Sequence, residues 1–172
     1  MNVTSALLTL SQIAATFAGF TALMSLVRTD AKNSDILRAT FRIMTMIVLS
    51  MITLFLCLLP IFLLQLNLSE QAVWITADLF LVVVTFSGTV AAAMVLRKMS
   101  IDKKTQVNRL VMAVNFGVSG TVMALVPIAF MYPSIITFEA AYLFGCMAHL
   151  FIAAIVFLLL VLSLRPAPAD SG

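Results

Sequence analysis

Five long apolar runs, separated by short polar or charged stretches, dominate the pattern of the chain. The runs cover residues 5–27, 43–66, 72–96, 110–132 and 139–164. Each exceeds the about 20 residues that an α-helix needs to cross the hydrocarbon core of a bilayer. Helices are the expected form of such spans because they satisfy their own backbone hydrogen bonds. The pattern therefore predicts an all-α bundle of five membrane-spanning helices within residues 1–165, followed by a short disordered tail at 166–172.

The composition agrees with a membrane protein. Of the 172 residues, 63% are hydrophobic and only 10% are charged, and the mean hydropathy is +1.16. A soluble domain carries about 25% charged residues, and one of this size could not bury so much apolar surface. Disordered chains have the opposite balance of low hydropathy and high charge. Soluble and disordered classes are therefore excluded, and any activity must lie within the bundle or at its rims.

Basic residues lie on only one side of the predicted membrane. All 10 lysines and arginines fall within 28–42, within 97–109 or at Arg165, whereas the connections 67–71 and 133–138 contain none. Short basic loops stay in the cytoplasm. This predicts an outside N-terminus and a cytoplasmic C-terminus in a plasma membrane, most simply a bacterial inner membrane. The basic residues behind the net charge of +3 are then expected to bind the anionic lipids of the inner leaflet. No nucleic-acid partner is expected.

The first run is less apolar than the others, and a cleaved signal peptide is the alternative interpretation. A signal peptide begins with a positively charged region. No lysine or arginine precedes Arg28 in this chain. We therefore expect the first run to be retained as a spanning helix.

Two pairs of predicted helices share short motifs. The sequence Thr-Phe-Ala-Gly at 16–19 matches Thr-Phe-Ser-Gly at 85–88, and the same offsets lead to an alanine and an arginine. Pro60 and Pro127 follow an arginine at equal distances in the second and fourth runs. These matches favour duplication of a two-helix hairpin, as occurs in transporter folds. Chance similarity between apolar helices is the alternative.

Polar side chains recur at helical spacing in three of the runs. Spacings of three and four residues keep side chains on one face of a helix. The residues are Ser5, Thr9, Gln12 and Thr16 in the first run, Asp78, Thr85 and Thr89 in the third, and Glu139, Tyr142, Cys146 and His149 in the fifth. We interpret these faces as a polar cleft that opens outward. Hydrogen bonding between helices without any cleft is the alternative.

Asp78 and His149 are the most informative residues of these faces. An ionisable side chain inside a membrane is expensive and is by default a candidate functional group. The alternatives are a neutral, hydrogen-bonded acid near the headgroups and a packed histidine. The predicted path for an ion or solute is formed by Asp78, His149, Gln12, Thr16, Thr85 and Asn115.

Motifs for enzymatic chemistry are missing from the sequence. The two cysteines lack metal-ligand spacing, and there is no glycine-rich phosphate loop, His-Glu-x-x-His motif or nucleophile elbow. We therefore expect no enzyme activity, no catalytic residues, no metal and no cofactor. The leading hypothesis is a small transporter or channel subunit that works as a homo-oligomer or with a membrane-protein partner. The alternative is a non-catalytic scaffold or assembly subunit of a larger membrane complex.

Overall fold

The computed structural model describes residues 3–27, 33–101 and 109–162. It contains α1 (Val3–Val27), α2 (Asn33–Gln65), α3 (Glu70–Ile101), α4 (Arg109–Met131) and α5 (Phe138–Leu162). Each helix has a stretch long and apolar enough to cross a membrane, and no strand occurs in the described ranges. The predicted all-α bundle with five spanning helices is therefore confirmed. The predicted tail at 166–172 lies outside the described residues, as do residues 28–32 and 102–108 of the basic connections.

Local sequence explains where the helices begin and end. Just after α2, Asn67 adopts a φ of 56°, a left-handed conformation that asparagine tolerates well. Ser69 then caps α3, because its hydroxyl accepts a hydrogen bond from the Ala72 amide at 3.3 Å. Thr137 caps α5 in the same way, with the Ala140 amide as donor at 3.2 Å. These tight connections make α2 and α3, and likewise α4 and α5, run antiparallel.

Two helices continue beyond the apolar runs that predicted them. α2 has 33 residues and α3 has 32, which corresponds to about 50 Å, whereas a hydrocarbon core is about 30 Å thick. The apolar stretches within them are Ile43–Gln65 and Glu70–Met94. The extra turns therefore lie at one end of the bundle, before Ile43 and after Met94, where the sequence carries arginines beside the runs.

α5 lies at the centre of the bundle. It packs against each of the other four helices. In an apolar segment of 18 residues within each helix, 44% of the residues are buried in α5, against 22% in α1, α3 and α4 and 28% in α2. The buried core takes side chains from all five helices, among them Leu7, Leu56, Leu81, Val122 and Tyr142. Polar residues on α5 are consequently brought close to several helices at once.

Candidate functional site between α3 and α5

α3 and α5 are in close contact at Gly145. A Cβ atom on Gly145 would overlap Cδ2 of Leu81 and would lie only 3.0 Å from its Cδ1. Both residues are buried in the bundle. Small residues allow membrane helices to approach closely, and here the missing side chain leaves room for Leu81 against the α5 backbone. Gly145 therefore sets the separation of the two helices at the level of the site.

Two successive contacts show that α3 and α5 run parallel. Leu81 faces Gly145, and Thr85 faces His149 about one turn further along both helices. The sequence separation is 64 residues for the second pair, and the first pair has the same separation. One turn in the opposite direction, Asp78 lies close to Tyr142 and Cys146. The polar faces predicted on these two helices therefore meet along one contact.

His149 has a partner at each ring nitrogen. Nδ1 lies 2.8 Å from the carbonyl oxygen of Gly145, and Nε2 lies 3.4 Å from the hydroxyl of Thr85. A carbonyl oxygen only accepts, so Nδ1 carries the proton and donates. Nε2 of the neutral ring then accepts from the Thr85 hydroxyl. A second proton on Nε2 would reverse that bond, because a hydroxyl also accepts. The His149–Thr85 pair can thus hold either protonation state without losing a partner.

Asp78 is completely buried, at 0% exposure. Neither of its carboxylate oxygens has a hydrogen-bond partner among the described residues. Buried polar groups are nearly always paired, and an unpaired charge in an apolar interior is very costly. The carboxyl group can be neutralised by a proton or paired with a cation. Asp78 is therefore the group of this site with the strongest need for a binding partner.

An open depression of about 450 Å³ lies where α3 and α5 begin. Its lining residues are Glu70, Gln71, Trp74, Thr137, Phe138 and Glu139. Trp74 precedes Asp78 by one helical turn, which is about 6 Å along the axis. The Trp74 side chain is only 7% exposed, and its ring lies edge-on to Tyr142 with centroids 6.0 Å apart. Trp74 therefore stands between the depression and the buried carboxyl group.

Tyr142 connects the site to α2. Its hydroxyl donates a hydrogen bond to the carbonyl oxygen of Leu56 at 2.5 Å. That carbonyl lies four residues before Pro60, and a proline has no N–H with which to bond it. Tyr142 therefore replaces the backbone donor that Pro60 removes. This hydrogen bond could be predicted only in part from the sequence. Pro60 identifies the carbonyl oxygen that lacks a backbone donor, but not the side chain that donates to it.

Cys57 and Cys146 lie side by side between α2 and α5. Both are free and completely buried, and their thiols are close enough to hydrogen-bond. Both cysteines are packed as small apolar side chains. Within the described ranges, no group of three or more potential metal ligands occurs.

The remaining residues of the predicted path lie elsewhere. Gln12 and Thr16 are exposed on α1, where the Thr16 hydroxyl donates to the Gln12 carbonyl at 2.8 Å. Asn115 is half-buried on α4. The structure therefore brings Asp78, Thr85 and His149 to one helix contact and leaves Gln12 and Thr16 on the surface of the bundle.

Sequence patterning missed two buried polar groups. The Trp74 indole N–H and the Ser50 hydroxyl have no hydrogen-bond partner among the described residues. Trp74 stands near the start of its apolar run, a usual position for a tryptophan at a membrane interface. Ser50 is a single hydroxyl in a long apolar run, with Thr53 three residues further on. Neither position carried a pattern that distinguishes it from ordinary helix packing.

The five apolar helices make this chain an integral membrane protein of the polytopic α-helical class. Comparison with protein-family models, with curated proteins and with solved structures finds no match.

Proposed function

We propose that the chain is a proton-coupled subunit of a membrane transporter or channel, in which Asp78 binds and releases the proton. The observation that supports this proposal is a buried carboxyl group one turn below an open depression, with no hydrogen-bond partner in the part of the chain that the structure describes. Ionisable residues inside a membrane commonly mark ion pathways and proton relays. The proposal includes no catalytic chemistry.

The proposed orientation has the N-terminus outside and the C-terminus in the cytoplasm of a plasma or bacterial inner membrane. It rests on the basic residues, which flank only one end of the apolar runs. In this orientation the depression opens to the outside, and Trp74 controls access from it to Asp78. The His149–Thr85 pair then lies near the middle of the bilayer, because the apolar stretch of α5 is Phe138–Leu159.

Proton movement from Asp78 to the His149–Thr85 pair needs intermediate groups. Thr85 follows Asp78 by seven residues, which is about 10 Å along α3 and too far for a direct hydrogen bond. The thiol of Cys146 lies on the intervening turn of α5. His149 can then receive a proton, because its partner Thr85 accepts as well as donates.

The test uses protein reconstituted in liposomes with a pH-sensitive dye inside. An imposed pH gradient should drive proton uptake through the wild type, and Asp78→Asn and His149→Gln should abolish most of it. Asp35→Asn is the matched control, because it removes a carboxylate that precedes the apolar stretch of α2, at the end of the bundle opposite the depression. Asp78→Asn should also unfold no more readily than wild type, since no described residue forms a hydrogen bond with Asp78 that could be lost. Absence of flux in wild-type protein, with Asp78→Asn assembling normally, would overturn the proposal.

The second candidate function is a scaffold or assembly subunit of a larger membrane complex. It is favoured by the low share of fully buried residues in the apolar stretches, 44% in α5 and 22% in α1, which leaves partly or fully exposed helix surface for a partner. A stoichiometric foreign partner that co-purifies from native membranes would support the scaffold. A homogeneous preparation of this chain with proton flux would support transport.

A further inference from the structure

The side of α1 that faces away from the bundle carries a regular line of exposed residues, most of them small or polar. This α1 face consists of Ser5, Thr9, Gln12, Thr16, Gly19 and Leu23, all of them exposed. Their spacing alternates between four and three residues. That repeat averages 3.5 residues, which keeps one line of side chains against a partner helix in a left-handed pair. The α1 face therefore has the geometry of a helix–helix interface but lies on the surface of the bundle.

Gln12 is the residue of the α1 face that is most costly to expose to lipid. The apolar stretch of α1 is Val3–Met24, so Gln12 lies near the middle of the bilayer. The hydroxyls of Thr9 and Thr16 donate to carbonyls one turn earlier, at 2.9 and 2.8 Å, and are satisfied within the helix. A glutamine amide is larger, with two donors and an acceptor. Exposed to hydrocarbon, such a group costs several kcal/mol.

We infer that the α1 face binds the α1 face of a second copy of this chain, with the two Gln12 amides hydrogen-bonded to each other. An amide both donates and accepts, so two identical amides satisfy one another across a two-fold axis. Two copies inserted in the same orientation have their Gln12 amides at the same depth in the membrane. A helix of a different protein has a matching amide at that depth only by coincidence. Gly19 adds no side chain to the face, and the space beside it is open, since a Cβ at that position would meet nothing within 4 Å.

This inference is independent of the proposed function. The α1 face is a different surface from the α3–α5 contact, so each copy keeps its own Asp78, Thr85 and His149. A pair of copies is compatible with a transporter and with a scaffold. Its failure would therefore leave the proton-coupling proposal standing, and the reverse also holds.

Disulfide mapping in native membranes tests which side of α1 meets a second copy. Single substitutions Ser5→Cys, Thr9→Cys and Thr16→Cys should give covalent dimers with a lipid-soluble oxidant such as iodine. Ile13→Cys and Phe20→Cys are the matched controls, because both positions are exposed on α1 but lie off the α1 face. The unsubstituted chain gives the background, since Cys57 and Cys146 are buried.

The outcome of the mapping is decided by its pattern along the helix. Dimers at 5, 9 and 16 that exceed those at 13 and 20 support the inference. Equal crosslinking at all five positions, no dimers at any of them, or adducts with a protein of different mass would overturn it.

A second measurement tests Gln12 directly. In lipid vesicles, single-molecule counting of labelled protein should show a dimer dissociation constant about 5- to 30-fold larger for Gln12→Leu. This factor corresponds to the about 1–2 kcal/mol measured for polar contacts between model membrane helices. Gln12→Asn, which keeps an amide, should retain most of the association. Helix content should be unchanged in both variants because Gln12 is exposed. Dimerisation of Gln12→Leu at wild-type strength would contradict the inference.

Discussion

Thr16 and Thr85 each begin a Thr-Phe-small-Gly motif, yet they lie in opposite environments. Thr85 is 3% exposed and shares a hydrogen bond with His149 across the α3–α5 contact. Thr16 is exposed and donates to a carbonyl of its own helix. Local sequence does not separate the two, since the phenylalanine and the glycine occupy equal positions. A polar helix face thus identifies a surface that needs a partner, while tertiary packing decides whether that partner belongs to the same chain.

The largest difference in stability between the α3–α5 contact and the α1 face should appear when the glycine of each is substituted. Gly145→Ala should lower the free energy of unfolding by about 1–3 kcal/mol, because the new methyl group collides with Leu81 in a packed core. Gly19→Ala should leave it unchanged or raise it slightly, since alanine favours helix and the space around Gly19 is free. Unfolding by added SDS in mixed micelles, followed by circular dichroism, measures both. Equal stability of the two variants would contradict the close contact between α3 and α5.

The Tyr142 hydroxyl should have the next largest effect. Tyr142→Phe leaves the Leu56 carbonyl without a donor inside the bundle and should cost about 1–2 kcal/mol in the same assay. Tyr132→Phe removes a hydroxyl from a side chain that is 52% exposed and serves as the control, with no measurable change expected. If Tyr142→Phe were as stable as the control, the carbonyl before Pro60 would not depend on α5.

The smallest difference in stability should be the one between substitutions of Thr85 and Thr16. Thr85→Val removes the partner of His149 Nε2 and should cost about 0.6 kcal/mol, the average for hydrogen bonds between membrane helices. Thr16→Val should not change the stability of the monomer, because the Thr16 hydroxyl bonds only within its own turn. Measurement at low protein-to-detergent ratio keeps association out of the comparison. A larger loss for Thr16→Val than for Thr85→Val would reverse the assignment of buried and exposed faces.

The spanning helices could be predicted from sequence because hydropathy and span length are properties of single segments. The helix ends were predicted less well. α2 begins at Asn33 rather than near residue 43, since leaving the apolar layer does not require a helix to stop. Capping residues such as Ser69 and Thr137 locate the ends better than hydropathy does.

The site could be predicted only in part. Helical periodicity placed Asp78 and Thr85 on one face of the third run and His149 on a face of the fifth. It could not show that these two faces pack against each other, or in which register, because that depends on Gly145 and Leu81 fitting each other. The same periodicity grouped Gln12 with Asp78, although α1 presents Gln12 on its exposed side. Helical periodicity shows which residues share a face of a helix. It does not show whether that face points into the bundle or away from it.

The bond from Tyr142 to Leu56 also bears on how the protein is made. Translation delivers α1 to α4 to the membrane before α5, although α5 is the helix that contacts all of the others. Until α5 arrives, the Leu56 carbonyl has no hydroxyl to bond it, and the four earlier helices lack their common neighbour. A stalled four-helix product therefore displays an unsatisfied polar group within the bilayer. Such a display is a physical signal by which membrane quality control can distinguish an unfinished chain from a finished one.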